Sequence, residues 1–219
     1  MPPRRSARRP PRPPLDPHTL EAHDAPLVAD ETYDRVVVRD ADLTRARAAG
    51  SRFLECALVD VDLTEADLSG ARFSESVLTR VRGAGIDLSD ATLADTVVTD
   101  PRLGAPSAYG SVWRDVRVVG GKVDFLNLRG ATLTDVVFED VVLLEPDLAG
   151  ATLKRVSFDG CQLVTAQFSG VTMTEVDLSG PRLVAPRGLA SLRGATISRL
   201  QLLDLADALA DQLGIRIGT

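Results

Sequence analysis

The stretch Val61-Asp62-Leu63-Thr64-Glu65-Ala66-Asp67-Leu68-Ser69-Gly70-Ala71-Arg72-Phe73-Ser74-Glu75-Ser76-Val77-Leu78-Thr79-Arg80 carries an apolar side chain at every fifth place: Leu63, Leu68, Phe73 and Leu78. Outward from it the phase holds from Val38 to Leu183 without a slip, and 29 of 30 such positions are apolar, the exception being Gly83. The chain's apolar content of 44% would give about 13. A period of five is neither the 3.6 of a helix nor the 2 of a strand. It describes a chain that turns a corner every five residues and winds on itself as a solenoid.

A second column lies two places before the first and is small or apolar: Ala41, Ala46, Ser51, Cys56, Val61, Ala66 and onward to Pro181. None of the sixty positions in the two columns from Val36 to Leu183 is charged. Charges confined to the other three positions mark a core sealed from water. A period of twenty underlies the period of five: Gly50, Gly70, Gly110, Gly130, Gly150 and Gly170 share one place, broken by Asp90. Four units therefore make one coil with a square section. The glycine corner suits a turn that needs a positive φ, a conformation aspartate also visits. Thirty units give about seven and a half coils and a rod of about 36 Å.

The triplets Ala41-Asp42-Leu43, Ala66-Asp67-Leu68 and Val176-Asp177-Leu178 resemble the A(D/N)LXX units of pentapeptide-repeat proteins, over residues 31–185. The resemblance implies an all-β fold, a right-handed quadrilateral β-helix. Several units depart from it, with Arg, Val or Thr in the place of Asp or Asn. Gly83, Pro101, Ala105-Pro106 and Gly120-Gly121 predict irregular corners, a loosened middle third and a bulge near Tyr109–Trp113.

Residues 1–30 read as a disordered Pro/Arg-rich tail and linker, with five arginines and six prolines in the first fourteen residues. No apolar h-region marks a secretory signal and no run reaches the 18 residues of a membrane span, so a cytoplasmic protein is expected. Residues 186–219 form a C-terminal linker and cap. Ser198 and Gln201 fit a capping box, and Leu202, Leu205, Leu209 and Leu213 follow at helical spacing. A helix over about 199–213 is predicted to close the last coil. Family resemblance implies that such an end also builds a twofold homodimer.

Chemistry is sparse. The two histidines, His18 and His23, precede the repeat body, and Cys56 and Cys161 fall in inward columns about 25 Å apart, beyond disulfide reach. No Cys/His cluster, catalytic triad or phosphate loop is present. The expectation is a non-enzyme with no cofactor or metal, and a packed solenoid with no obvious cleft for a small molecule.

Charge is the remaining signal. Residues 31–185 hold 24 acidic and 16 basic side chains, a net of −8. Glu55, Glu75, Asp95, Asp115, Asp135 and Glu175 recur every twenty residues, with Arg155 the one reversal. The next corner adds Asp40, Asp60, Asp100 and Asp140. Neighbours stacked about 4.8 Å apart repel by about 0.9 kcal/mol in water, which salt reduces. Acids at corners keep a rod soluble. They also draw a line of negative charge that a basic DNA-binding groove would attract. The acidic excess is densest between Asp60 and Asp100, while Arg114, Arg117, Lys122, Arg129, Lys154 and Arg155 populate later coils. The family resemblance implies a protein partner such as DNA gyrase, some members being DNA mimics that protect it from quinolones. A general protein-binding scaffold is the alternative. Direct nucleic-acid binding is disfavoured by a sequence pI near 5.0.

Overall fold

Two inward side chains per unit leave three residues to make a short rung and a corner, and the corner needs a backbone of the opposite hand. The computed structural model describes residues 15–212 and 214–216. In it, every fifth residue from Asp30 to Glu175 has a φ between +48° and +69°. The left-handed conformation thus recurs at all four corners, not only at the glycine column. Aspartate tolerates it, whereas Arg45, Glu65, Phe125 and Thr165 hold it at about 1–2 kcal/mol each.

The rungs pair in parallel with a register of twenty residues, as in Tyr33↔Phe53, Phe53↔Phe73 and Leu133↔Leu153. The first face has eight strands, Thr32–Asp34 to Thr172–Thr174. The second has ten, Glu21–Ala22 to Ala195–Thr196, and the third six, Arg82–Ala84 to Arg182–Val184. The fourth is held by single bridges running from Val28↔Arg47 to Gln167↔Arg187. Eight coils give a rod about 38 Å long.

Single bridges run along the fourth face whatever residue precedes the apolar centre, Arg47, Ser107 and Gln167 among them. Where that residue is Asp or Asn, its side chain accepts the N–H two residues on, as Asp62 does from Thr64, Asp67 from Ser69, Asp87 from Ser89 and Asn127 from Arg129. This local turn accompanies bridges such as Asp67↔Asp87. On the other faces, units with Arg, Thr or Val there, such as those of Phe53, Leu93 and Leu143, form three-residue strands.

Both inward columns fill the core. Tyr33, Phe53 and Phe73 stack with centroids 5.0 and 4.6 Å apart, and Phe138 and Phe158 stack at 4.9 Å. The buried polar residues are satisfied by corner carbonyls: Ser76 Oγ donates to Ser74 O and Thr96 Oγ1 to Ala94 O. Register is kept through the middle third, with Leu103 beside both Gly83 and Val123, and Trp113 is buried. The expected loosening and bulge are absent there. Pro101, Pro106 and Pro146 take the first inward place, whose N–H makes no bond to a neighbouring coil at Ala46, Ala66 or Ala71, so the ladder loses nothing. Gly83 is the local irregularity: a Cβ there would lie 2.6 Å from Thr64 N.

Both ends differ from expectation. Residues 15–30, predicted as linker, are part of the structure: Leu15 and Leu20 pack on Val37, Ala57, Val59 and Val77 outside the second face, and Glu21–Ala22 adds a rung. That outer patch rewards burial of two leucines that no periodicity flags. Residues 1–14, for which composition predicts disorder, and Leu213 lie outside the described residues. Residues 186–198 are more than a linker, since Leu189 is buried and Ala195–Thr196 pairs with Val176–Asp177.

The predicted single helix is two, α1 (Arg199–Asp204) and α2 (Ala206–Gln212), interrupted at Leu205. The capping box of Ser198 and Gln201 is formed. The buried face runs through Gln201 and Leu205, leaving Leu209 half-buried and Leu202 49% exposed. The cause is polar: Gln201 Nε2 donates to Leu178 O and Pro181 O, both at 2.7 Å, closing carbonyls of the last coil.

Candidate partner-binding surface

The acidic residues sit where the solenoid turns into and out of its second face. Glu55, Glu75, Asp95, Asp115 and Asp135 occupy the corner before that face, and Asp60, Asp100 and Asp140 the corner after it. All eight have a positive φ, from +48° to +58°. The two columns therefore flank one sheet, as the periodicity predicts. Between them the outward residues are small and uncharged over several coils: Val59, Val77, Thr79, Val97, Thr99 and Val119.

The columns are not uninterrupted lines of charge. Arg80 lies one coil below Asp60 and binds both its oxygens, Nε to Oδ1 at 2.6 Å, and holds the Asp60 carboxyl below the usual carboxylate range. Arg155 grips Asp135 in the same way, and Arg35 lies 3.8 Å from Glu55. The first column is thus met by Arg35 before Glu55 and broken by Arg155 before Glu175. On the face itself, Arg117 pairs with Glu139.

Two further observations move the candidate surface along the rod. Leu15–Ala22 covers the face over the early coils, so the open part begins near Val97. The nine acids between Asp60 and Asp100 are spread around the rod rather than aligned: Asp62 lies on the third face, Asp67 and Asp87 on the fourth, Glu65 and Asp90 at other corners. The thiol of Cys161 is pushed up to about 11 by burial, and that of Cys56 also upward by burial; both are free and enclosed. Among the described residues no group of His, Cys, Asp or Glu is arranged to hold a metal ion, and no helix is long and apolar enough to cross a membrane.

The expectation that the solenoid lacks a cleft is corrected. A cleft of about 440 Å³ opens at the N-terminal mouth beside His23, Arg39 and Asp42. A groove of about 470 Å³ crosses the third face beside Arg102, Gly104, Gly121 and Lys122. His23 and Arg39 carried no signal in the sequence, because neither belongs to a motif.

The family model for Pentapeptide repeats matches in eight copies, over residues 41–80, 66–99, 125–160 and 147–180, together more than half of the chain. No curated protein matches the sequence. Among solved structures, the chain is similar to a trypsin-treated variant of QnrB1, described as a plasmid-mediated fluoroquinolone resistance protein. The two are 18% identical over 84% of this chain and 99% of that one, with a TM-score of 0.41. It is also similar to HetL, involved in heterocyst differentiation regulation in the cyanobacterium Nostoc sp. strain PCC 7120, at 17% identity over 77% and 90% of the chains and a TM-score of 0.41. The parallel rungs, the register of twenty and the matched repeats agree: this chain belongs to the pentapeptide-repeat family.

Proposed function

We propose that the protein works without catalysis, by presenting the acidic corners of its second face to the basic nucleic-acid-binding groove of an enzyme such as DNA gyrase. The observation that carries this reading is the choice of residue at the corners. A left-handed corner is served by Asn as well as by Asp. The sequence has one Asn, at 127, yet Asp95, Asp100, Asp115, Asp135 and Asp140 all stand at such corners. These corners therefore carry charge as well as the backbone conformation. The working surface centres on coils Asp95 to Asp140, flanking the part of the face that Leu15 and Leu20 leave open.

Equilibrium binding to purified gyrase tests it. Binding should weaken steeply with salt and be competed by linear duplex DNA, while the protein itself binds no DNA. Binding to gyrase that DNA leaves untouched would favour the general scaffold instead.

The C-terminal end is also proposed to join two copies. Leu200 and Leu203 are 69% and 68% exposed on α1, with Leu202 between them in the chain 49% exposed. A Leu200→Glu, Leu203→Glu variant should elute as a monomer in size-exclusion chromatography with light scattering where the parent is a dimer. A parent that is already monomeric at micromolar concentration would remove the dimer.

A further inference from the structure

The third face begins with an open edge. Its first rung, Ala41–Thr44, is bridged below by Asp42↔Asp62, where Leu43 N–H donates to Asp62 O and Asp62 N–H to Ala41 O. One coil higher, the chain does not run along this face: His23 N–H bonds Val37 O on the second face, and the next pairing is Val28↔Arg47 on the fourth. The N–H and C=O of Asp42 and the C=O of Thr44 point toward the place a preceding rung would occupy. Among the described residues none of the three has a backbone partner.

The 440 Å³ cleft lies in that place. Its floor is apolar, with Leu27, Val38 and Leu43. Four buried side-chain atoms lack a hydrogen-bond partner among the described residues, and two of them, Arg39 Nη2 and His23 Nε2, belong to residues lining this cleft. A buried guanidinium N–H without an acceptor is costly, so Arg39 Nη2 favours an occupant that brings an oxygen acceptor. The rim is acidic, with Asp24, Asp40 and Asp42 against the one cation Arg39.

We infer that this cleft takes an extended basic peptide segment of a partner protein, which adds a parallel rung above Ala41–Thr44. A peptide backbone supplies what the edge lacks: an N–H for Asp42 O, a C=O for Asp42 N–H, and a further carbonyl for the Arg39 guanidinium. The solenoid's own rules set the side chains. An apolar residue points onto Leu43, as Leu63 stands below it. Basic residues stack on Asp40 and Asp42 from one coil above, as Arg35 does on Glu55 and Arg45 on Glu65. The protein's own residues 1–14 do not fit: their proline-free run, Arg4–Arg9, has only Ala7 to set on Leu43, and the prolines on either side of it donate nothing to a ladder.

The probe is the acetylated, amidated pentapeptide RARLT, titrated into the full-length ¹⁵N-labelled protein. Its expected signature is a saturable shift of the Asp42, Leu43 and Thr44 amides, with protection of the Asp42 amide from hydrogen exchange only in the bound form. N-methylation of the peptide's leucine, which deletes one ladder N–H, should weaken binding about fivefold. The acidic peptide EAELT should not bind. Equal binding of the methylated peptide, shifts centred on Asp95 and Asp115 instead, or no shift at millimolar peptide would overturn the inference. So would an Asp42 amide already protected in the free protein, since the edge would then be covered. This inference is independent of the gyrase reading.

Discussion

At the scale of single residues, the solenoid is governed by two requirements that coincide every five places: two side chains pointing in and one backbone turning left-handed. The inward requirement is plain in the sequence, because a charge in either column would be buried without a partner. The left-handed requirement is only half visible. Glycine and aspartate announce it at Gly50 and Asp90, but Arg45, Glu65 and Phe125 obey it under the constraint of the rungs on either side. Gly121 separates the two requirements. It stands in an inward column that holds Val61, Val81 and Val141 in other coils, so the repeat pattern alone would welcome a larger residue. In the structure its φ is +75° and a Cβ would lie 2.3 Å from Pro101 O. Gly121→Ala should therefore lower stability by about 3 kcal/mol. Gly130→Ala has open space at its Cβ and should lose only about 1 kcal/mol from its positive φ. Urea unfolding of both variants checks this, and an equal loss would show that the Pro101 contact is unimportant.

At the scale of elements, the ends hold most of what periodicity could not reveal. The capping box at Ser198 and Gln201 is a local pattern and was legible. The second use of Gln201, bridging the carbonyls of Leu178 and Pro181, spans a coil and was not. Nor were Leu15 and Leu20, two isolated leucines whose patch exists only once Val37, Ala57, Val59 and Val77 are brought into one column. The Gln201 bridge predicts a specific cost. Gln201→Leu keeps the helix propensity and the volume but strips two buried carbonyls of their donor, a loss of about 2–4 kcal/mol. Hydrogen exchange should then accelerate at the last coils, Val176 to Thr196, before the centre of the rod responds. Uniform acceleration along the rod would mean that the solenoid unfolds as one unit and that the cap is not a local lock.

At the scale of the whole molecule, the rod is a spacing device that sets charges at intervals of one coil. Its arginines are arranged by the same rule, so Arg80 and Arg155 quench Asp60 and Asp135 from the adjacent coil. The acidic columns were legible as sequence periodicities of twenty. Which acids are quenched, and which part of the face Leu15 and Leu20 cover, follow from contacts between coils and were not. The mimicry reading therefore rests on Asp95, Asp100 and Asp140 more than on Asp60. The most direct test is a supercoiling assay of purified gyrase, with and without a quinolone, titrated with the parent protein and with an Asp95→Asn, Asp100→Asn, Asp115→Asn, Asp140→Asn variant. Asparagine preserves the left-handed corners while removing four charges. The parent should inhibit supercoiling or protect the enzyme from the drug, and the variant, folded by circular dichroism, should lose the effect at least about tenfold. An equal effect from the folded variant, or none from the parent at micromolar concentration, would contradict the proposal that these corners act on a nucleic-acid-binding groove.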